Sequence, residues 1–208
     1  MYKGEKINSI SHLVGASLSL IAWGVLIGFS SYTRDPWKIA SATVYGFSLF
    51  FLYLNSTLYH SFKKETTAKK VFQRFDHISI YYLIAGTYTP YTLVVLREEG
   101  LGWLIFSIVW GIAIVGTVFK SIWGGDKFNS ISTLFYVLAG WAILIDIKTV
   151  YIKLPQAGFF WLFAGGLFYT IGAFFYLKEN LPRNHEIWHF FVLAGSCCQF
   201  VSVFFYVI

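Results

Sequence analysis

Residues 184–208 read NHEIWHFFVLAGSCCQFVSVFFYVI. Beyond its first turn the stretch is almost wholly apolar, and Glu186 is its one formally charged side chain. A membrane helix needs roughly 20 predominantly apolar residues, so this stretch reads as a crossing. Its opening carries His185 and His189 at i, i+4, which puts both imidazoles on one helix face. That is the spacing at which two histidines bite one metal ion.

The rest of the chain repeats the apolar pattern. Apolar residues make up 57% of the sequence and charged residues 12%, against about 25% charged in ordinary globular domains. Composition therefore excludes a soluble enzyme and predicts an all-α integral membrane protein. Seven apolar segments are expected at roughly 10–31, 37–61, 76–96, 101–120, 130–148, 157–178 and 184–208. They form one transmembrane domain over 1–208, because the polar breaks between them are too short to fold alone. The first segment follows Lys3 and Lys6 but is too long for a signal-peptide core and lacks an evident cleavage site, so it is expected to remain as a helix.

Lys and Arg positions set the expected orientation. One side carries Lys3, Lys6, Lys63, Lys64, Lys69, Lys70, Arg74, Lys120, Lys127, Lys178 and Arg183, eleven in all. The other carries five, Arg34, Lys38, Arg97, Lys148 and Lys153. The amino terminus is expected inside and the carboxyl terminus outside. The net charge of +6 then serves topology and contact with anionic headgroups. Membrane lipids are the expected partners, nucleic acid is not, and a homo-oligomer is compatible with the sequence.

This topology gathers polar residues that lie far apart in sequence. His60 ends the second segment, Asp76 opens the third, and His185 and His189 open the seventh, so all four fall at the inner face. Ser56 shares a helix face with His60 at i, i+4. Three imidazoles plus a water are a known zinc arrangement, and zinc lowers the pKa of such a water to about 7. Asp76 is the candidate general base, then acid, and Ser56 a hydrogen-bonding partner of the water or oxyanion. A carboxylate in a membrane segment points to function. His12 and His77 are expected to be structural.

Other readings compete. His185-Glu186-Ile187-Trp188-His189 fits H-E-x-x-H, the zinc motif of metalloproteases with Glu as base. An intramembrane protease needs a third ligand, and the Asn/Leu-rich Asp-Gly turn that usually supplies it is absent. Asp146, the other Asp deep in an apolar stretch, falls on the outer side. Glu186 is left as a second base or as the partner of a loop cation. A transporter would need ionisable residues along a path to the outer leaflet, and Asp146 alone hints at one. Cys197 and Cys198 are expected to be small buried hydrophobes. Gly15, Gly24, Gly28, Gly46, Gly165, Gly166 and Gly172 are expected at helix contacts, and Pro90 is expected to kink the third segment near mid-membrane.

Ser56-x-x-x-His60, Asp76-His77, Ala85-Gly86-Thr87-Tyr88-Thr89-Pro90 and His185-x-x-x-His189, with Glu5, Asn8, Ser9, His12 and Gly15 at the start, resemble the hemolysin III branch of the progestin and adipoQ receptor family. The resemblance spans nearly the whole chain. It implies a seven-helix bundle in the bacterial inner membrane, with zinc on His60, His185 and His189 near the cytoplasmic leaflet. It further implies Asp76 as holder of the zinc-bound water and Ser56 as the family's helix-two Ser. The adiponectin-receptor relatives are associated with hydrolysis of lipid amides such as ceramide, and the bacterial branch with haemolysis and pore formation. The expected function is thus zinc-dependent hydrolysis of a lipid acyl bond. The alternative is a non-enzymatic cytolysin or sensor of membrane lipid state, with structural zinc closed by four protein ligands. The large soluble amino-terminal extension of the eukaryotic receptors has no counterpart here, so a hormone-receptor role is not expected.

Overall fold

The computed structural model describes residues 2, 4–124 and 128–208. Among them the fold is wholly helical, with no strand. The helices are α1 (Lys6–Thr33), α2 (Pro36–Ser61), α3 (Thr67–Pro90), α4 (Gly102–Trp123), α5 (Asn129–Gly140), α6 (Ile147–Lys153), α7 (Gln156–Leu177) and α8 (Asn184–Tyr206). A π turn, Tyr91–Val95, prolongs α3, and a 3-10 turn, Ala142–Asp146, joins α5 to α6. Six stretches are long and apolar enough to cross a membrane: α1, α2, α4, the unit Asn129–Lys153, α7 and α8. Helix α3 is less apolar than these, with Lys69, Lys70, Arg74 and Asp76 in its first half and many Ser, Thr and Tyr residues beyond them.

Several boundaries differ from the sequence reading. Helix α3 starts at Thr67, nine residues before Asp76, because the Thr66 hydroxyl accepts the Lys69 N–H at 3.2 Å and caps a helical end that the basic run had disguised as loop. Asp76 therefore lies more than two turns inside α3. Pro90 does mark a change of ladder, into the π turn, but toward the end of the bundle away from the histidines. The expected helix at 130–148 is broken at Trp141. Tyr88 stitches the break: its hydroxyl donates to the Gly140 carbonyl at 2.7 Å and accepts the Ile143 N–H at 3.0 Å. A side chain thus replaces backbone bonds that lipid cannot supply.

Burial is inside-out relative to a soluble bundle. The buried face of α1 holds Asn8, Ser9, Ser11, His12, Gly15 and Ser19, whereas Leu18, Leu20 and Ile21 face outward. Small and polar residues let helices approach and bond across the interface. At Gly15 an added Cβ would fall 2.6 Å from the Tyr53 ring, so this close approach of α1 to α2 requires glycine. Gly24 and Gly28 do not make such contacts and face open space. Cys197 is exposed on the outer surface, and only Cys198 is buried; both are free thiols. Lys3 and Lys127, used above for topology, lie outside the described residues.

The two ends of the bundle are chemically distinct. At one end the α2 terminus meets the starts of α1, α3 and α8, with Ser9 and Ser61 hydroxyls 2.8 Å apart. At the other, Lys38 donates to the Ile208 carbonyl at 2.7 Å and the Arg97 guanidinium lies 4.7 Å from the Trp37 ring.

Candidate metal centre

The register between α2 and α8 builds the site. These helices run antiparallel, and Tyr53 donates to Ser196 Oγ at 2.7 Å in the bundle interior. Ser196 also lies 2.8 Å from the Tyr169 hydroxyl of α7. Tyr53 precedes His60 by seven residues and Ser196 follows His189 by seven. Two equal rises of about 10 Å from one pinned point bring His60 and His189 to one level.

At that level three imidazoles converge. Ring centroids are 4.9 Å apart for His60–His185, 4.8 Å for His60–His189 and 4.8 Å for His185–His189. Each offers one nitrogen within 4.8 Å of the others. His60 Nε2 and His185 Nε2 stand 3.2 Å apart. Two nitrogens on one tetrahedral zinc, each roughly 2.0–2.1 Å from the ion, stand about 3.3 Å apart, so the imidazole donors and the His60–His185 spacing fit that ion, with the third nitrogen within 4.8 Å of both.

The surroundings orient the rings. His60 Nδ1 bonds Glu5 Oε2 at 2.9 Å, which leaves Nε2 facing the centre. Lys69 Nζ bonds the same carboxylate oxygen at 2.5 Å and donates to the Tyr59 carbonyl at 2.8 Å. Burial alone would raise the Glu5 pKa, but hydrogen bonds from His60 and Lys69, with the charge of Lys69, outweigh it and hold the carboxyl at about 2. Glu5 is thus ionised at neutral pH. Ser11 Oγ lies 3.4 Å from His189 Nδ1. His12, expected to be structural, stacks on His189 with centroids 3.6 Å apart and meets Tyr53 edge-on.

A cavity of about 230 Å³ opens from the cluster into the bundle. Ser56, Asp76, Tyr88, His185, Trp188 and Gln199 are among its lining residues. Asp76 and Ser56 therefore share the cavity with His185 and His189 but lie outside the three-imidazole cluster. Thr57 and Ser61 bond back to carbonyls four residues earlier, both at 2.7 Å. The Ser56 hydroxyl makes no such bond among the described residues, and the half-buried Asp76 carboxylate accepts none from them. His77 bonds the Gln73 carbonyl at 2.7 Å through Nδ1 while still lining the cavity.

The other motif residues have local partners. Glu186 pairs with the loop residue Arg183 at 3.7 Å, as the partner of a loop cation would, and is not among the cavity's lining residues. Asp146 accepts the Leu101 N–H at 2.8 Å and the Thr149 hydroxyl at 2.7 Å, a structural role at the far end. Sequence reasoning missed the roles of Glu5, Lys69 and Ser11. The signal available was the polar spacing Glu5, Asn8, His12, which follows one face of α1.

Six bilayer-length apolar helices and a three-histidine cluster able to hold a metal ion define a multi-pass membrane protein with a candidate metal centre at one end of its bundle. The haemolysin-III related family model matches residues 1–200, and the chain belongs to that family. It is 47% identical over 206 residues to Hemolysin-3 of Bacillus cereus, covering 99% of this chain and 93% of that one. It is 43% identical over 204 residues to the Hemolysin-3 homolog of Bacillus subtilis (strain 168), covering 98% and 94%. Human monocyte to macrophage differentiation factor is 29% identical over 178 residues, 83% of this chain and 72% of that one. No solved structure matches. The bacterial relatives and apolar helices identify a multi-pass bacterial membrane protein.

Proposed function

We propose that this chain is a zinc-dependent hydrolase of lipid acyl bonds, ceramide-like amides in particular, working at the cytoplasmic leaflet. The observation that carries the reading is one cavity lined by His185 and His189 of the three-imidazole cluster together with Asp76 and Ser56, neither of which has a hydrogen-bond partner among the described residues. His60, His185 and His189 would hold the ion. Zinc bound there would supply a Lewis acid for the acyl carbonyl and lower the pKa of a water.

The chain's own groups then divide the work. Asp76 takes a proton from the attacking water and returns it to the leaving nitrogen. Water adds to the acyl carbon, the C–N bond breaks, and a free fatty acid and an amine leave. Ser56 donates a hydrogen bond to the developing oxyanion. The apolar cavity wall takes the acyl chain and excludes bulk water.

The same proposal takes seven crossings with the amino terminus in the cytoplasm. Helix α3 follows α2 from end to end, which supports a crossing despite its charged first turns. Gln73 bonds the Tyr59 hydroxyl at 3.3 Å, the Tyr82 and Phe51 rings lie 6.2 Å apart, and Arg97 covers Trp37 at the far end. Eleven cations against five favour the histidine end as cytoplasmic. With Cys197 and Cys198 replaced by Ser, Lys64→Cys and Glu98→Cys are expected to label from opposite sides of sealed vesicles. Labelling from one side ends the seven-crossing reading.

The deciding assay offers fatty-acyl lipids to the detergent-purified protein and measures free fatty acid with and without chelator. Release that chelator abolishes and zinc restores is expected. Release indifferent to chelator overturns the zinc role, and no release from any lipid overturns the hydrolase. The names of the two Bacillus relatives favour a second reading, a cytolysin with structural zinc, which predicts dye leakage from lipid vesicles without fatty acid release.

A further inference from the structure

We infer that Glu5 is a positioning residue of the metal centre, and that through it ion binding and docking of the amino-terminal segment are one equilibrium. The inference rests on the reading that the three histidines hold a metal. Glu5 immediately precedes α1, and its side chain is only 18% exposed. Its Oε2 reaches His60 Nδ1 at 2.9 Å across 55 residues of sequence. An imidazole that ligates through one nitrogen is commonly fixed by a carboxylate on the other, which sets tautomer and ring angle and strengthens the ligand. Glu5 is the carboxylate so placed, since neither Asp76 nor Glu186 bonds a cluster imidazole.

Lys69 makes the arrangement a latch. Its ammonium bonds Glu5 and the Tyr59 carbonyl and lies 3.9 Å from the centre of the Tyr59 ring. It thereby holds the carboxylate against α2 and α3. One turn further along α1, Ser9 Oγ meets Ser61 Oγ at 2.8 Å and repeats the tie. His60 is thus oriented by a residue outside the helices that carry the three imidazoles. Coupling between two binding events is reciprocal. Whatever factor a docked Glu5 adds to ion affinity, the ion adds to the docking of the segment.

The test compares wild type with Glu5→Gln, Glu5→Asp and Lys69→Met in detergent. Zinc affinity is read by competition with a chromophoric chelator, and ligand geometry by visible absorption of the cobalt-substituted protein. Glu5→Gln is expected to bind zinc about 10- to 100-fold more weakly and to alter the cobalt spectrum. Glu5→Asp should recover most of the affinity, and Lys69→Met should show a smaller loss. The second readout is trypsin cleavage after Lys6, followed by mass spectrometry of the fragment beginning at Ile7. Zinc should slow that cleavage in wild type and leave it unchanged in Glu5→Gln.

Wild-type affinity in Glu5→Gln, or cleavage after Lys6 that ignores zinc in a wild type that binds it, overturns the inference. A wild type that binds no zinc overturns the metal reading beneath it, so the two failures are distinguishable.

Discussion

At the end of the bundle away from the histidines, charged side chains are committed to backbone and ion-pair partners that tie the loops and helix ends together. Asp35 accepts the Trp37 N–H at 2.8 Å, Asp146 holds Leu101 and Thr149, Glu99 pairs with Lys153, and Arg97 pairs with Glu98. At the histidine end bonds also run between distant segments, but several polar groups stay uncommitted. His60 reaches Glu5 and His185, while Ser56 and Asp76 line a cavity without hydrogen-bond partners among the described residues. Both His12 nitrogens are buried and unbonded as well. A buried polar group without a partner costs about 1–3 kcal/mol. The far end spends its polar groups on closing loops, and the histidine end keeps them facing a cavity. That asymmetry is what a ligand site next to an anchoring surface looks like.

The contrast breaks most directly at the cluster. His60→Ala and His185→Ala are each expected to take zinc from about one ion per chain to near none, since a catalytic site normally needs three protein ligands. Elemental analysis of the purified variants decides this, and full zinc in both dissolves the distinction between the ends. Asp76→Asn should retain the ion yet lower fatty acid release by about 10²- to 10⁴-fold, the usual contribution of a general base. Ser56→Ala should lower it by about tenfold, in keeping with one neutral hydrogen bond. Undiminished turnover in Asp76→Asn removes that residue from proton transfer.

Much of this division is visible in the sequence, because apolar length and i, i+4 spacing are local signals. The six apolar spans and the pairing of His185 with His189 needed nothing more. The approach of His60 to that pair followed from the alternation of helix ends. Three features were hidden for a common reason, namely that a distant partner decides each. The basic run 69–74 reads as loop until Thr66 is seen capping α3 and Lys69 turning inward to Glu5. The break at Trp141 has no Pro to announce it and exists because the Tyr88 hydroxyl, more than fifty residues earlier, takes over two backbone bonds. Gly24 and Gly28 look like a packing stripe, yet the neighbouring helix does not approach them.

The Tyr88 stitch sharpens the comparison from the middle of the bundle. Tyr88→Phe keeps the ring and removes the hydroxyl, leaving the Gly140 carbonyl and Ile143 N–H without that partner. A loss of about 1–3 kcal/mol is expected, read as earlier thermal unfolding in detergent. Because α5 and α7 also line the cavity, fatty acid release should fall while zinc content holds. Unchanged stability would mean that the break persists without its stitch.

The smallest effect belongs to the far end. Asp146→Ala removes the acceptor of the Leu101 N–H at the start of α4 and of the Thr149 hydroxyl. Loss of a carboxylate cap costs about 1 kcal/mol. In a chain of this size that lowers the unfolding midpoint by about 2–4 °C. Zinc affinity, cobalt spectrum and fatty acid release should all match wild type, because Asp146 bonds only groups at the end of the bundle away from the cluster. If Asp146→Ala weakened zinc binding as much as Glu5→Gln, the two ends would be coupled through the bundle. Asp146 would then have to be counted with the site instead of with the loop closures.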